Sequence, residues 1–317
     1  MADPVKPLVV HLICSSGFYG AERVVANIAQ TFTGVDMQVL CLAPPAADLS
    51  TFSQQVRKNS TCSFVSIPNS LPLALKQLRE LSRCHNKLIV HAHGYKEIVI
   101  AVLFKWLSDC QVIVTQHGFT ERNLKSRVYN WIDKACCRWA SIDSVIAVSE
   151  DIARIYRDFG VHQNRITIVK NAVALPERQP SLPGKPSDKE RFPLPAGKRR
   201  ILFAGRLSEE KAPLLFVDAI AELVKTDPDT IGVIAGDGPQ AEEVQQAISR
   251  MHLQDKIICL GFISNMDQLL PAVDMVMLTS VTEGVPMTML EAMANGVPVV
   301  AAAVGGIPGV IQDASNG

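Results

Sequence analysis

Short, nearly continuous apolar runs alternate with stretches of helical periodicity from one end of the chain to the other. In the first half the runs fall at 8–14, 35–43, 62–67, 87–92, 111–115, 144–148 and 166–169. Runs with so few polar breaks predict strands of a parallel sheet, because a strand buried on both faces has no reason to alternate. Between several of them apolar residues recur at helical spacing. Over 21–32, Val24, Val25, Ile28, Ala29 and Phe32 share one face of a predicted helix. Strand and helix in strict alternation predict a doubly wound α/β domain over 1–175.

Residues 176–198 break the pattern. Pro176, Pro180, Pro183, Pro186, Pro193 and Pro195, with charges between them, predict a linker. The alternation then restarts over 176–317. Strands are expected at 201–204, 231–235, 257–262, 273–278 and 297–302, with helices from 213 and over 242–251 and 287–294. Two tandem doubly wound domains would set the carboxyl ends of two parallel sheets across a cleft, the expected place for a ligand. The chain stops at Gly317 soon after the last predicted strand, so the second domain is expected to be incomplete.

Composition narrows the classes. With 317 residues, 48% apolar and 20% charged, disorder, collagen-like repeats and coiled coils are excluded. Lys plus Arg and Asp plus Glu both number 31, so no basic excess points to nucleic acid. The balance hides an asymmetry: a basic excess over 1–175 faces an equal acidic excess over 176–317. Different partners for the two halves, or attraction between them, would each account for it. The 8 cysteines include no Cys-x-x-Cys pair and sit mostly in apolar runs, as small buried hydrophobes in a reducing compartment do. The apolar run at 8–14 reads as a strand rather than a signal peptide, and no stretch is apolar for 18 residues. A cytoplasmic protein is expected.

Four loops carry candidate chemistry. Gly17 and Gly20 lie between the first strand and its helix, where backbone N–H groups can approach an anion. Gly205-Arg206-Leu207-Ser208-Glu209-Glu210-Lys211 offers a guanidinium and an ammonium suited to a diphosphate, or else paired with Glu209 and Glu210. Gly236-Asp237-Gly238-Pro239-Gln240-Ala241 formally matches a dinucleotide loop. The next strand ends in Leu260-Gly261-Phe262 without the acidic residue that a nicotinamide dinucleotide needs. The fourth loop joins Glu283 to a helix that starts near Pro286, contains Glu291 and ends at Gly296. Its N-terminus offers free N–H donors to an anion, with the two carboxylates placed to accept hydrogen bonds from sugar or ribose hydroxyls. His117 ends a strand, where a structural and a functional role are both open. His91 and His93 end the preceding one and could border an acceptor, and a metal pair there is not expected.

Glu283 and Glu291, within Glu-Gly-Val-Pro-x-x-x-Leu-Glu-Ala-Met-Ala-Asn-Gly-Val-Pro, resemble the signature of the family 4 retaining glycosyltransferases of GT-B fold. The glycine loop at 17–22, Thr115-Gln116-His117-Gly118, 144–150, 205–211, Gly261-Phe262 and Gly305-Gly306 also fall where that family has motifs. Lys170-Asn171-Ala172-Val173-Ala174 departs from its usual Asn-Gly-Val-Asp, and the family normally continues beyond residue 317.

The resemblance implies two Rossmann-like domains, an acceptor-side one and a nucleotide-sugar-binding one. Arg206 and Lys211 would neutralise the diphosphate, Glu291 would hold the ribose and Glu283 the donor sugar. Gly205 and the backbone of Gly284, Val285, Pro286 and Met287 would lie nearby. Gly17 and Gly20 would close on the phosphate, His117 would reach the sugar near its anomeric carbon, and Phe262 would line the base. The implied activity is retaining transfer of a hexosyl-type sugar from a nucleotide diphosphate to a glycan or lipid-linked acceptor, in cell-surface polysaccharide synthesis, with no metal or other cofactor. A sugar-nucleotide epimerase and a non-catalytic, truncated nucleotide-sugar-binding protein are the alternatives. The segment 122–139, with Arg122, Lys125, Arg127, Lys134, Arg138, Trp131, Ile132 and Trp139, suits peripheral contact with the anionic inner face of a membrane, or else an ordinary helix with its tryptophans turned inward.

Overall fold

The computed structural model describes residues 7–32, 34–58, 62–119, 124–140, 142–175, 192–264 and 266–312. The chain divides into two compact units, Met1–Asn171 and Ala172–Gly317.

The first unit runs β1 (Leu8–Cys14), α1 (Gly20–Thr31), β2 (Asp36–Ala43), α2 (Ser50–Val56), β3 (Cys62–Pro68), α3 (Leu71–Cys84), β4 (Leu88–Ala92) and α4 (Tyr95–Leu107). It continues with β5 (Gln111–Gln116), α5 (Leu124–Trp139), β6 (Ser144–Ala147), α6 (Glu150–Asp158) and β7 (Ile166–Ile168). The strands form one parallel sheet in the order β3-β2-β1-β4-β5-β6-β7. Alternate residues of each strand feed opposite cores. Val10, Leu12, Val90 and Val114 pack with Leu78, Phe104 and Tyr156 from α3, α4 and α6. Ile13, Val39 and Cys41 pack on the other side with Val25, Ala29 and Phe52 from α1 and α2.

The second unit runs β8 (Arg199–Ala204), α7 (Pro213–Thr226), β9 (Thr230–Ala235), α8 (Ala241–Arg250), β10 (Ile257–Gly261), α9 (Met266–Leu269), β11 (Met275–Leu278), α10 (Met287–Ala294) and β12 (Val299–Ala301). Its parallel sheet has the order β10-β9-β8-β11-β12. It too is cored on both faces, by Leu202, Val233, Val276 and Met289 on one and Phe203, Phe216, Ile220 and Ile248 on the other.

The parallel α/β reading agrees with this architecture, with local differences. Phe32 lies beyond α1 and is 51% exposed, because it caps the helix with an extended backbone that turns its ring off the apolar face. Residues 176–191 of the expected linker lie outside the described residues. Within 192–198, Leu194 is buried in the second unit's core and Arg200 donates to the carbonyl of Pro195 at 2.8 Å, so this part is anchored. Four cysteines are buried, while Cys84 and Cys259 are exposed; all eight are free thiols.

Candidate active site

Each sheet reverses its strand order once, between β1 and β4 in the first unit and between β8 and β11 in the second. Loops leaving the carboxyl ends of such neighbours diverge and open a crevice, the usual ligand position in open α/β sheets. Gly17, Gly20, His91 and His93 belong to the strands and loops of the first reversal, and Gly205, Arg206, Lys211 and Glu283 to those of the second, whereas His117 follows β5 and Phe262 follows the edge strand β10.

In the second unit the loop after β8 and the loop after β11 are stitched together. Thr279 Oγ1 donates to the carbonyls of Lys211 and Ala212, 3.0 Å each, and the Val281 N–H donates to the Glu210 carbonyl at 2.9 Å. Ala212 is held in the left-handed region at φ 47°, which turns the chain into α7. The result brings Lys211 to Glu283, with Nζ 2.5 Å from Oε1. Ser280 Oγ donates to the same oxygen at 2.6 Å. Lys211 is thus paired across the loops with Glu283, and not with the neighbouring Glu209 or Glu210. Arg206 is exposed at the start of the loop, and Glu291 is half-buried within α10.

Pro286 is the N-cap of α10, one position before the first helical residue. It provides no N–H and no side-chain cap, and the first turn holds no acidic residue, so the N–H groups of that turn receive no side-chain cap. Gly284, Val285, Pro286 and Met287 are buried beside it. Phe262 follows the edge strand β10 and is 44% exposed.

Three glycines outside the Glu283–Glu291 run fix these loops by close backbone approach. A Cβ on Gly236 would lie 1.9 Å from the Gly205 carbonyl oxygen, and one on Gly238 would lie 2.4 Å from that of Leu207. The resemblance of 236–241 to a dinucleotide loop therefore has a local cause: its glycines buttress the loop that carries Arg206 and Lys211. Gly305, at φ 54°, would drive a Cβ to 1.8 Å from the Glu283 carbonyl, and the Gly306 N–H donates to Gly284 at 2.9 Å.

In the first unit the loop after β1 is internally bonded. The Gly17 N–H donates to Ser15 Oγ at 3.1 Å, and the Tyr19 N–H donates to the Glu22 carboxylate at 3.0 Å. Those two N–H groups are therefore engaged within the loop. Gly17 is packed under the Tyr19 ring, where a Cβ would sit at 2.9 Å, whereas Gly20 is exposed and faces open space. Glu97, at the start of α4, accepts from the Cys14 N–H; burial raises its carboxyl above the ordinary range and raises the Cys14 thiol as well.

His117 closes the turn after β5. Gln116 Oε1 accepts from the His117 and Gly118 N–H groups at 3.0 and 3.3 Å, while Gln116 Nε2 donates to Asp133 at 2.8 Å. Asp133 also accepts from Tyr156 Oη at 2.6 Å, and burial lifts its carboxyl to about 6. Sequence reasoning missed Glu97 and Asp133. An acidic residue amid the apolar stretch of α4, and another between Ile132 and Cys136 on α5, were the only available hints.

His117 is also one end of a row of imidazoles. His11 and His91 are partners in register across β1 and β4, and His93 lies two residues beyond His91 on the same face. His11 Nδ1 is 2.9 Å from His93 Nε2, and His93 Nδ1 is 3.2 Å from His117 Nε2. His91 Nε2 meets Thr115 Oγ1 at 2.7 Å. Ring centroids are 4.3 Å apart for His91–His93 and 5.5 Å for His93–His117. Burial pulls His11 and His117 down to about 4, and His91 and His93 also fall well below the ordinary value, burial again being the main cause. One nitrogen each of His11, His91 and His93 lie within 4.8 Å of one another, a spacing that a borderline divalent cation can bridge.

On α5, Trp131 and Trp139 are 55% and 62% exposed, with ring centroids 6.2 Å apart. They do not pack inward; Arg138 lies over Trp139 at 5.1 Å. Arg122 and the Lys125 side chain lie outside the described residues. Among the described residues, no helix is long and apolar enough to cross a membrane.

Two family models match the chain. "Glycosyltransferase Family 4" covers residues 18–176, and "Glycosyl transferases group 1" covers 184–317. The UDP-Gal:alpha-D-GlcNAc-diphosphoundecaprenol alpha-1,3-galactosyltransferase of Escherichia coli is 26% identical over 71% of this chain and 60% of its own length. The 2-deoxystreptamine glucosyltransferase of Streptomyces kanamyceticus is 32% identical over 57% of this chain and 48% of its own. The chain thus spans about half to three fifths of the length of these two curated relatives. Among solved structures, Anabaena Alr3699/HepE in complex with UDP and glucose superposes with a TM-score of 0.82 at 20% identity, covering 98% of this chain and 84% of that one. The fold is GT-B, and with matched stretches that include Gly20, His117, Lys211, Glu283 and Glu291, the chain belongs to glycosyltransferase family 4.

Proposed function

We propose that this chain carries the donor and acceptor machinery of a retaining glycosyltransferase that takes a hexosyl group from a uridine-diphosphate sugar. The observation that carries the reading is the Lys211–Glu283 pair beside the N-terminus of α10, at the strand-order reversal of the second unit. Lys211 and Arg206 put positive charge where a departing diphosphate needs it, and the helix dipole adds to it. Glu283 accepts from donor-sugar hydroxyls and Glu291 from the ribose, with Gly205 and the backbone of residues 284–287 alongside and Phe262 against the base. The uridine choice is supported by the UDP in the Anabaena structure and the UDP-Gal named for the Escherichia coli relative.

As the bond from the anomeric carbon to the diphosphate oxygen breaks, the acceptor hydroxyl attacks the same face. Its proton passes to the leaving phosphate. In this reading His117 is assigned to the donor sugar near its anomeric carbon, and Gly17 and Gly20 to the phosphate. Fixed cations and a helix terminus supply the electrostatics, so transfer needs no metal. The acceptor is a glycan or a lipid-linked sugar of cell-surface polysaccharide synthesis, in keeping with the diphosphoundecaprenol substrate in the relative's name. The exposed Trp131 and Trp139 beside Arg127 and Arg138 suit an anionic cytoplasmic membrane surface.

Thermal-shift titration with UDP, GDP and ADP, each with EDTA and with Mg²⁺, tests the donor. A metal-independent shift with UDP is expected; no shift with any nucleotide on a folded chain overturns the assignment. Cosedimentation with anionic vesicles tests the surface. Replacing both Trp131 and Trp139 with Ala should lower the bound fraction about tenfold, and unchanged binding removes this face from the reading.

A further inference from the structure

The His11–His93–His117 row has a direction. A neutral imidazole carries one N–H and one lone pair, so His93 must donate to one neighbour and accept from the other. If His117 Nε2–H donates inward, His93 donates to His11 Nδ1, and the His11 proton must sit on Nε2. That atom is buried and has no hydrogen-bond partner among the described residues. The opposite direction leaves only a lone pair there. Orphaned buried N–H groups are rarer than under-used acceptors, so the second arrangement is favoured. In it His11 Nδ1–H donates to His93 Nε2, His93 Nδ1–H donates to His117 Nε2, and the His117 proton sits on Nδ1.

We propose that His11 and His93 are positioning residues that lock His117 as the neutral Nδ1–H tautomer, so that it meets the donor sugar as a hydrogen-bond donor rather than as a base or a cation. The lock is a property of the first unit alone. Its role at the donor sugar rests on the function proposed above. The sheet supplies the rigidity: His11 and His91 are in register, the His93 N–H donates to the Leu12 carbonyl at 3.0 Å, and Thr115 holds His91 beside the row. The tautomer of an imidazole is set by the bond its other nitrogen makes, and here that bond comes from inside the protein.

Long-range ¹H–¹⁵N correlation on the full chain labelled at its 7 histidines reads the tautomers directly, without substrate. Each spectrum is recorded with EDTA and with one equivalent of Zn²⁺. His117, His93 and His11 are expected to carry Nδ1–H in both. His93→Leu removes the donor, and His117 should shift to a mostly Nε2–H population. His93→Asn keeps an amide donor near the Nδ1 position and should restore the Nδ1–H form. Amide fingerprints establish that the variants are folded, and the wild-type spectrum alone decides if they are not. An Nε2–H proton on His117, an unchanged His117 in folded His93→Leu, or stoichiometric Zn²⁺ capture by the row overturns the lock. Because no step uses a nucleotide, failure of the donor titration above and failure of the lock are separate results.

Discussion

The two units reverse their strand order in the same way and furnish the reversal with different materials. In the first, the reversal is lined by buried imidazoles and by the buried carboxylate of Glu97, held by bonds that run between strands and helices. In the second, an ion pair sits on two loops whose shape is set by backbone touching backbone at Gly236, Gly238 and Gly305. One plan therefore has two vulnerabilities. The first unit answers to proton concentration and the second to atoms added at its glycines.

Acid should produce the largest difference between them. The folded first unit keeps His11 and His117 neutral down to about 4, whereas an unfolded histidine takes a proton near 6.5. Stability is therefore fully present above 6.5 and lost as pH falls toward 4. From pH 6.5 to 5 the loss is about 2 kcal/mol for each of the two. His91 and His93 act in the same direction. Asp133, raised to about 6, acts oppositely and offsets part of one histidine's effect below that pH. Hydrogen exchange at pH 7.5 and 5 should show the first unit opening well before the second; equal loss in both would undo the contrast.

Gly305→Ala probes the other side. Its Cβ would meet the Glu283 carbonyl at 1.8 Å in a left-handed backbone, so a loss of about 3 kcal/mol is expected in denaturant unfolding of the second unit. Glu283→Ala should change stability little by comparison and lower turnover about a hundredfold or more, roughly 2.7 kcal/mol or more in the barrier. The UDP-induced thermal shift should persist, and retained turnover would remove Glu283 from the sugar. The smallest effect is expected at Gly20→Ala. With nothing among the described residues within 4 Å of the new Cβ, stability should move by less than about 1 kcal/mol, so any fall in donor affinity reports on the open approach at α1.

The same contrast explains what could be read from the amino-acid order. Strands were legible because a parallel sheet buried on both faces turns them into unbroken apolar runs, such as 8–14 and 88–92. The second unit's candidates were legible because Glu283, Pro286 and Glu291 are contiguous, and loop chemistry in one short stretch keeps its spacing in the fold. The first unit's network was not. His11 and His93 lie 82 positions apart and meet only through the pairing of β1 with β4. Asp133 gains its meaning from Gln116 and Tyr156, which belong to other elements. Phe32 shows the converse error, and the two tryptophans of α5 show a choice that spacing alone leaves open. Helical spacing marks a face but does not say where the helix ends or whether that face is covered.

The backbone contacts at Gly236 and Gly305 also define what can be transplanted. Close main-chain approach at Gly236, Gly238 and Gly305 sets much of the loop shape in the second unit, together with the Thr279 side chain that ties the two loops to each other. The portable module is consequently larger than the run from Glu283 to Glu291. A graft into another α/β scaffold must bring residues 204–212, 236–239 and 278–306 together. A graft of the acidic stretch alone would import the vocabulary without the grammar that orders it.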